Sequence, residues 1–79
     1  MDRFVAEGFL LDAVDALLGI DEDSINMFGS LSSNGISEAD KMEILTLVEH
    51  EAEVAIDTDE VESLDTLDEL AVYVASCDR

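Results

Sequence analysis

The sequence predicts an all-α fold: a four-helix bundle of three longer helices and one short one, with a long loop after the first. Three observations carry this expectation. Apolar residues recur at spacings of three and four, capping residues stand ahead of those stretches, and no segment sustains the period-two alternation of a strand. The chain also lacks proline, the residue that most readily breaks such helices. Its 79 residues suit one domain, spanning 1–79, with one modest core.

The first helix is expected from Phe4 to Leu18. Phe4, Val5, Phe9, Leu10, Leu11, Val14, Leu17 and Leu18 supply the apolar positions, Glu7, Asp12 and Asp15 lie between them, and Gly19 ends the helix. Residues 20–36 are rich in serine and contain Gly29, Asn34 and Gly35, with Ile25, Met27, Phe28 and Leu31 as the anchors to a core. A connection of that length tends to be functional or to hide short helical turns. The second helix is expected to start with Ser37 as cap and Asp40 answering from the third position, and to bury Met42, Leu45, Val48 and Ala52. Thr58 or Asp59 is the expected cap of a brief third helix contacting the core through Val61 and Leu64. Thr66 and Glu69 form the capping box of a last helix burying Leu67, Leu70 or Ala71, and Val74.

Composition narrows the function classes. Hydrophobic residues make up 48% of the chain, too many for a disordered acidic tail, while the net charge is −18. Against 21 acidic residues stand only Arg3, Lys41 and Arg79. Such a field repels a phosphate backbone and attracts a basic protein surface, so no nucleic acid is expected as ligand. No apolar run is long enough for a membrane span, and Glu7 and Asp12 interrupt the N-terminal apolar stretch where a signal peptide needs continuity. Cys77 has no partner for an intramolecular disulfide and sits where the C-terminus is expected to fray. A cytoplasmic monomer, or an organellar protein after loss of a targeting segment, is the expectation.

The second helix opens with Gly35-Ile36-Ser37-Glu38-Ala39-Asp40-Lys41-Met42-Glu43-Ile44. This resembles the Gly-x-Asp-Ser-Leu-Asp-x-x-Glu-Leu pattern of the acyl carrier protein family, with the glycine, the second aspartate and the glutamate in register. Without a gap, Glu49, Ile56, Thr66-Leu67 and Tyr73-Val74 fall on similar family residues, and Leu18-Gly19-Ile20 resembles the end of the family's first helix. The resemblance implies an acyl-carrier-like bundle whose second helix docks basic enzymes of fatty-acid, polyketide or related biosynthesis. The family esterifies 4′-phosphopantetheine to a serine at the position held here by Glu38, which has no hydroxyl. No cofactor is therefore expected, and Glu38, Asp40, Glu43, Glu49 and Glu53 are the residues that the resemblance assigns to partner binding.

Two alternatives stay open. One is an atypical carrier modified on Ser37 or, at a second Asp-Ser-apolar triplet, on Ser24. A slip of one residue turns the site by about 100° around the helix, and a capping hydroxyl points inward. The other is an acidic nucleic-acid mimic that competes for a basic protein. Glu38 itself is either a carboxylate favoured by the positive end of the helix or a stand-in for the charge of a phosphate. His50, the only histidine, lies between Glu49 and Glu51, where a solvated imidazole makes the surface respond to pH. No nucleophile with a paired base emerges from the spacing, so the chain is not expected to be an enzyme. The runs Asp21-Glu22-Asp23 and Asp57-Thr58-Asp59-Glu60 lack the spacing of a calcium loop, and no specific metal site is expected. Screening of the −18 charge by salt or divalent cations is expected to raise the melting temperature. A thermal scan from low to moderate salt checks this, and a flat response contradicts it.

Overall fold

The computed structural model describes residues 1–77, and Arg79, one of the three basic residues, lies outside them. Four α-helices are present: α1 (Arg3–Leu18), α2 (Glu38–Ala52), α3 (Thr58–Val61) and α4 (Leu67–Ser76). The long connection between α1 and α2 holds two single 3-10 turns, Glu22–Ser24 and Ser32–Asn34. An isolated antiparallel bridge between Ser30 and Thr66 is the only β-type pairing among the described residues. The fold is all-helical and compatible with a small helical bundle.

Each helix starts where a short polar side chain can accept an otherwise unpaired amide. Asp2 accepts from Phe4 N–H at 2.8 Å and starts α1. Ser37 and Asp40 form a complete capping box on α2: Ser37 Oγ accepts from Asp40 N–H at 3.1 Å, and Asp40 Oδ2 accepts from Ser37 N–H at 3.2 Å. Neither expected cap starts α3. Asp57 does so, accepting from Asp59 N–H at 2.9 Å, because Asp57 holds the extended backbone and Thr58 is already helical. On α4, Thr66 Oγ1 accepts from Glu69 N–H, but the reciprocal Glu69 carboxylate reaches Asp65 N–H rather than that of Thr66.

Helix ends follow the same logic. Gly19 adopts φ 68° and returns its N–H to Asp15 O, a left-handed stop that suits a residue without Cβ. Glu53 makes the equivalent turn after α2 at φ 55°, a conformation that costs a side-chain-bearing residue about 1 kcal/mol or more. Val54, the next residue, is buried, and its N–H reaches Glu49 O at 3.2 Å. Cys77 ends α4 with its N–H on Val74 O at 3.1 Å, so the expected fraying does not extend to it.

α1 packs against both α2 and α4. Its buried positions are Ala6, Leu10, Ala13 and Val14, spaced four, three and one. Several residues expected in the core face solvent instead: Phe4 is 74% exposed, Val5 50% and Leu17 42%. Ala6 and Ala13 share the packed side with Leu10 and Val14, while Phe4, Val5 and Leu17 lie outside it. On α2 the buried set is Lys41, Ile44, Leu45 and Val48, while Met42 and Ala52 are only half-buried. The stripe keeps Leu45 and Val48 but takes Lys41 and Ile44 in place of Met42 and Ala52, a rotation of less than one residue around the helix. α4 buries Leu67, Leu70, Ala71 and Val74 as expected, and Val61 from α3 is fully buried.

Lys41 explains the rotation. Only 1% of it is exposed, and its ammonium donates to Leu64 O at 2.6 Å and Glu62 O at 3.3 Å. The aliphatic stem fills a core position while the charge satisfies carbonyls just beyond the four-residue α3. The long connection is held by polar contacts of its own. Asn34 Oδ1 accepts from Asn26 N–H at 2.9 Å, and its amide donates to Asn26 O and Ser30 O. Leu31 and Ile36 are its buried residues, whereas Phe28, an expected anchor, is 72% exposed. Phe28 sits on a turn whose N–H is taken by Asn26 Oδ1, with Gly29 N–H on Asn26 O, and this turn carries the ring outward.

Replacing Lys41 by Met keeps the stem but leaves two carbonyls without their donor, which is expected to cost about 1–3 kcal/mol. Lys41→Ala removes the packed methylenes as well and costs about 2 kcal/mol more. Urea denaturation at constant m measures both, and wild-type stability in Lys41→Met overturns this account of the contact.

Candidate functional site

The residues assigned to partner binding all belong to α2 or its ends, but the fold uses them differently. Glu38 occupies the first helical position and is exposed, with Ser37 before it and exposed Ala39 after it. The oxygen of Ser37 is turned onto Asp40 N–H, and the Asp40 carboxylate is turned back onto Ser37 N–H. Both side chains thereby serve the helix start. Glu49 is half-buried, and its Oε2 accepts from Ile56 N–H at 2.9 Å, tying the chain after α2 back to the helix. Glu43 and Glu53 remain exposed.

At about 100° per residue, the centre of the buried stripe from Lys41 to Val48 lies opposite Ala39, Glu43, Thr46 and His50. Those four are exposed, and Glu53 continues the same side past the helix end. Glu38 and Glu49 lie toward one flank of this face and Asp40 toward the other. The five residues therefore do not form one cluster. Glu43, His50 and Glu53 share the outward face, Glu38 heads the helix, and Asp40 and Glu49 are committed to backbone amides.

Ser24, the other candidate for modification, ends an exposed 3-10 turn in which Asp21 Oδ1 accepts from Asp23 N–H at 3.3 Å. The two acidic runs are largely explained as caps, since Asp21 starts this turn and Asp57 starts α3. Asp21 and Glu22 also line an open depression of about 260 Å³ with Asp12 and Asp15. Among the described residues, no group of three or more His, Cys, Asp or Glu side chains is placed to hold a metal ion. Nor is any helix among them long and apolar enough to cross a membrane.

A second surface, not singled out in the sequence, lies where α3 and α4 meet. Tyr73 on α4 accepts from Asp57 N–H through its hydroxyl at 3.0 Å and so holds the start of α3 against α4. Arg3 reaches across from α1 to Asp68 at 2.8 Å and to Glu7 at 3.8 Å, which joins the first turns of α1 and α4. Leu64, Val72 and Tyr73, with Glu60, Asp68, Glu69 and Ser76, line an open groove of about 430 Å³ on this side. The Tyr73–Asp57 contact spans 16 residues and leaves no local pattern in the chain. Lys41, by contrast, had a readable signal, standing three, four and seven residues before Ile44, Leu45 and Val48.

Comparison with protein-family models, with curated proteins and with solved structures finds no match.

Burial holds the Tyr73 phenol above its ordinary value, opposed by the hydrogen bond from Asp57 and reinforced by the nearby Cys77 and Glu60. A raised folded-state value means that the unfolded chain begins to lose this proton first, near its ordinary value of about 10. The stability tied to the neutral phenol is fully present below about pH 10 and is lost as pH rises through the folded-state value. Tyr73→Phe is expected to lower stability at neutral pH by about 0.5–1.5 kcal/mol, through the lost acceptor, and to flatten the alkaline decline. Urea midpoints measured across that range check it, and an unaltered alkaline slope removes Tyr73 from the account.

Proposed function

We propose that this chain is an acidic, acyl-carrier-like docking module that binds a basic surface of a biosynthetic enzyme through α2 and carries no phosphopantetheine arm. The observation that carries the proposal is the start of α2. There Glu38 is exposed at the first helical position, while the neighbouring Ser37 hydroxyl is engaged in the capping box. Ser37 is itself exposed, but its hydroxyl oxygen is held on Asp40 N–H and turned toward the helix, which presents it poorly to a transferase, whereas the exposed Glu38 carboxylate offers a fixed negative charge to a basic pocket. The outward face adds Glu43 and, past the helix end, Glu53, and the whole chain carries −18. A field of that sign speeds encounter with a basic partner and makes binding steeply dependent on salt. The in-register resemblance from Gly35 to Val74 supplies the class of partner, the enzymes of fatty-acid, polyketide or related biosynthesis.

Intact mass after incubation with coenzyme A and a broad-specificity phosphopantetheinyl transferase is expected to remain unchanged. A gain of one phosphopantetheine group, mapped to Ser37 or Ser24, replaces the proposal with a true carrier. In parallel, the double variant Glu38→Gln/Glu43→Gln is expected to weaken binding to a β-ketoacyl synthase about three- to tenfold at low salt, the size of two exposed ion pairs. Equal affinity of variant and wild type removes α2 as the docking face.

A further inference from the structure

We propose that the groove between α3 and α4 is a second docking site, which takes a basic amphipathic helix from a protein partner and seats one of its large apolar side chains. Its apolar part is formed by Leu64, Val72 and Tyr73, and Val72 is 51% exposed although α4 is otherwise packed along its apolar side. An exposed β-branched side chain in a concave surface about 430 Å³ in volume loses water when an apolar group enters, which a scattered surface residue does not.

Charge decides the occupant. The carboxylates that line the groove are Glu60 from α3 and Asp68 and Glu69 from α4, and among the described residues no basic side chain lines it. Arg3 pairs with Asp68 at 2.8 Å, and the Lys41 ammonium is held inside the fold on Leu64 O. Glu60 is exposed, and Glu69 uses one carboxylate oxygen on Asp65 N–H. A second copy of this acidic chain, a nucleic acid and an anionic lipid surface are all opposed by those carboxylates and by the overall −18. A helix with leucine or phenylalanine on one face and lysine or arginine beside it matches both the apolar part and the carboxylates. The walls are held in place by the Tyr73 hydroxyl on Asp57 N–H and by the Lys41 ammonium on Leu64 O, so the groove exists before anything binds. No residue of α2 lines the groove, although Lys41 reaches the Leu64 carbonyl behind it, and the inference does not rest on the docking proposed for the outward face of α2.

The test uses the full chain and a short synthetic helical peptide with leucines along one face and lysines along the other, at physiological ionic strength. A scrambled peptide of the same composition is the control. Amide NMR shifts on titration are expected at Leu64, Val72 and Tyr73, with weaker binding of the scrambled peptide. Val72→Ala, which shortens an exposed side chain to a stronger helix former, is expected to weaken the amphipathic peptide about five- to tenfold. Glu60→Gln should weaken it less, and chiefly at low salt. Equal binding of both peptides, shifts confined to α2, or an unaltered affinity of Val72→Ala each overturns the inference. Shifts confined to α2 would leave the α2 proposal standing, and loss of binding in Val72→Ala alone would support the groove whatever the outcome of the mass experiment.

Discussion

The contact on which the rest of the structure depends is the Lys41 ammonium on the carbonyls of Leu64 and Glu62. α3 has four residues, too few to be stable by its own hydrogen bonds, and the chain leaves it through a turn whose carbonyls have no helical partners. A lysine from α2 supplies those donors from inside the bundle. It also sets how α2 is rotated, because a side chain placed between the core and these carbonyls takes Ile44, Leu45 and Val48 inward with it. The orientation of the core helix and the anchoring of the shortest helix are thus one event. In a chain of net charge −18, one of three cations is spent inside the molecule, which leaves the outer surface still more uniformly acidic.

The connection between α1 and α2 is fixed to the rest of the fold by backbone polar groups as well as by its buried Leu31 and Ile36. The connection after α1 is joined to the start of α4 by Leu31 N–H on Asp65 O at 2.8 Å and Asp68 N–H on Met27 O at 3.0 Å. The second of these satisfies an amide in the first turn of α4 that its own cap does not reach. Asn34 holds the connection closed by behaving as a strand would toward Asn26, accepting from its N–H and donating to its carbonyl. A segment with few buried side chains can be ordered in this way, since hydrogen bonds of its backbone to side chains and to the start of α4 replace those of a regular element.

The surface that results has two acidic regions of different character. On α2, carboxylates stand out from a helix whose outward face is polar, so the field there is electrostatic in origin and screened by salt. On the α3–α4 side, carboxylates surround an apolar groove, where desolvation adds to charge.

What the sequence determined by itself is local. The helix periods, the left-handed stop at Gly19, the Ser37–Asp40 box and the burial of Leu67, Leu70 and Val74 all follow from residues within one or two turns of each other. Their energetics close over short stretches of chain, so the pattern is legible there. Only the tertiary structure decided which apolar residues count as core. Phe4 and Val5 fall at apolar helical positions and Phe28 reads as an anchor, but all three face solvent: α1 packs on α2 and α4 through Ala6, Leu10, Ala13 and Val14, and Asn26 sets a turn that carries Phe28 outward. It also decided that Lys41 is interior, that Glu49 serves the backbone of Ile56, and that Tyr73 and Asp57 meet. Each of these is settled by where a donor finds its acceptor across the fold, and that distance is a property of the folded chain rather than of the spacing along it.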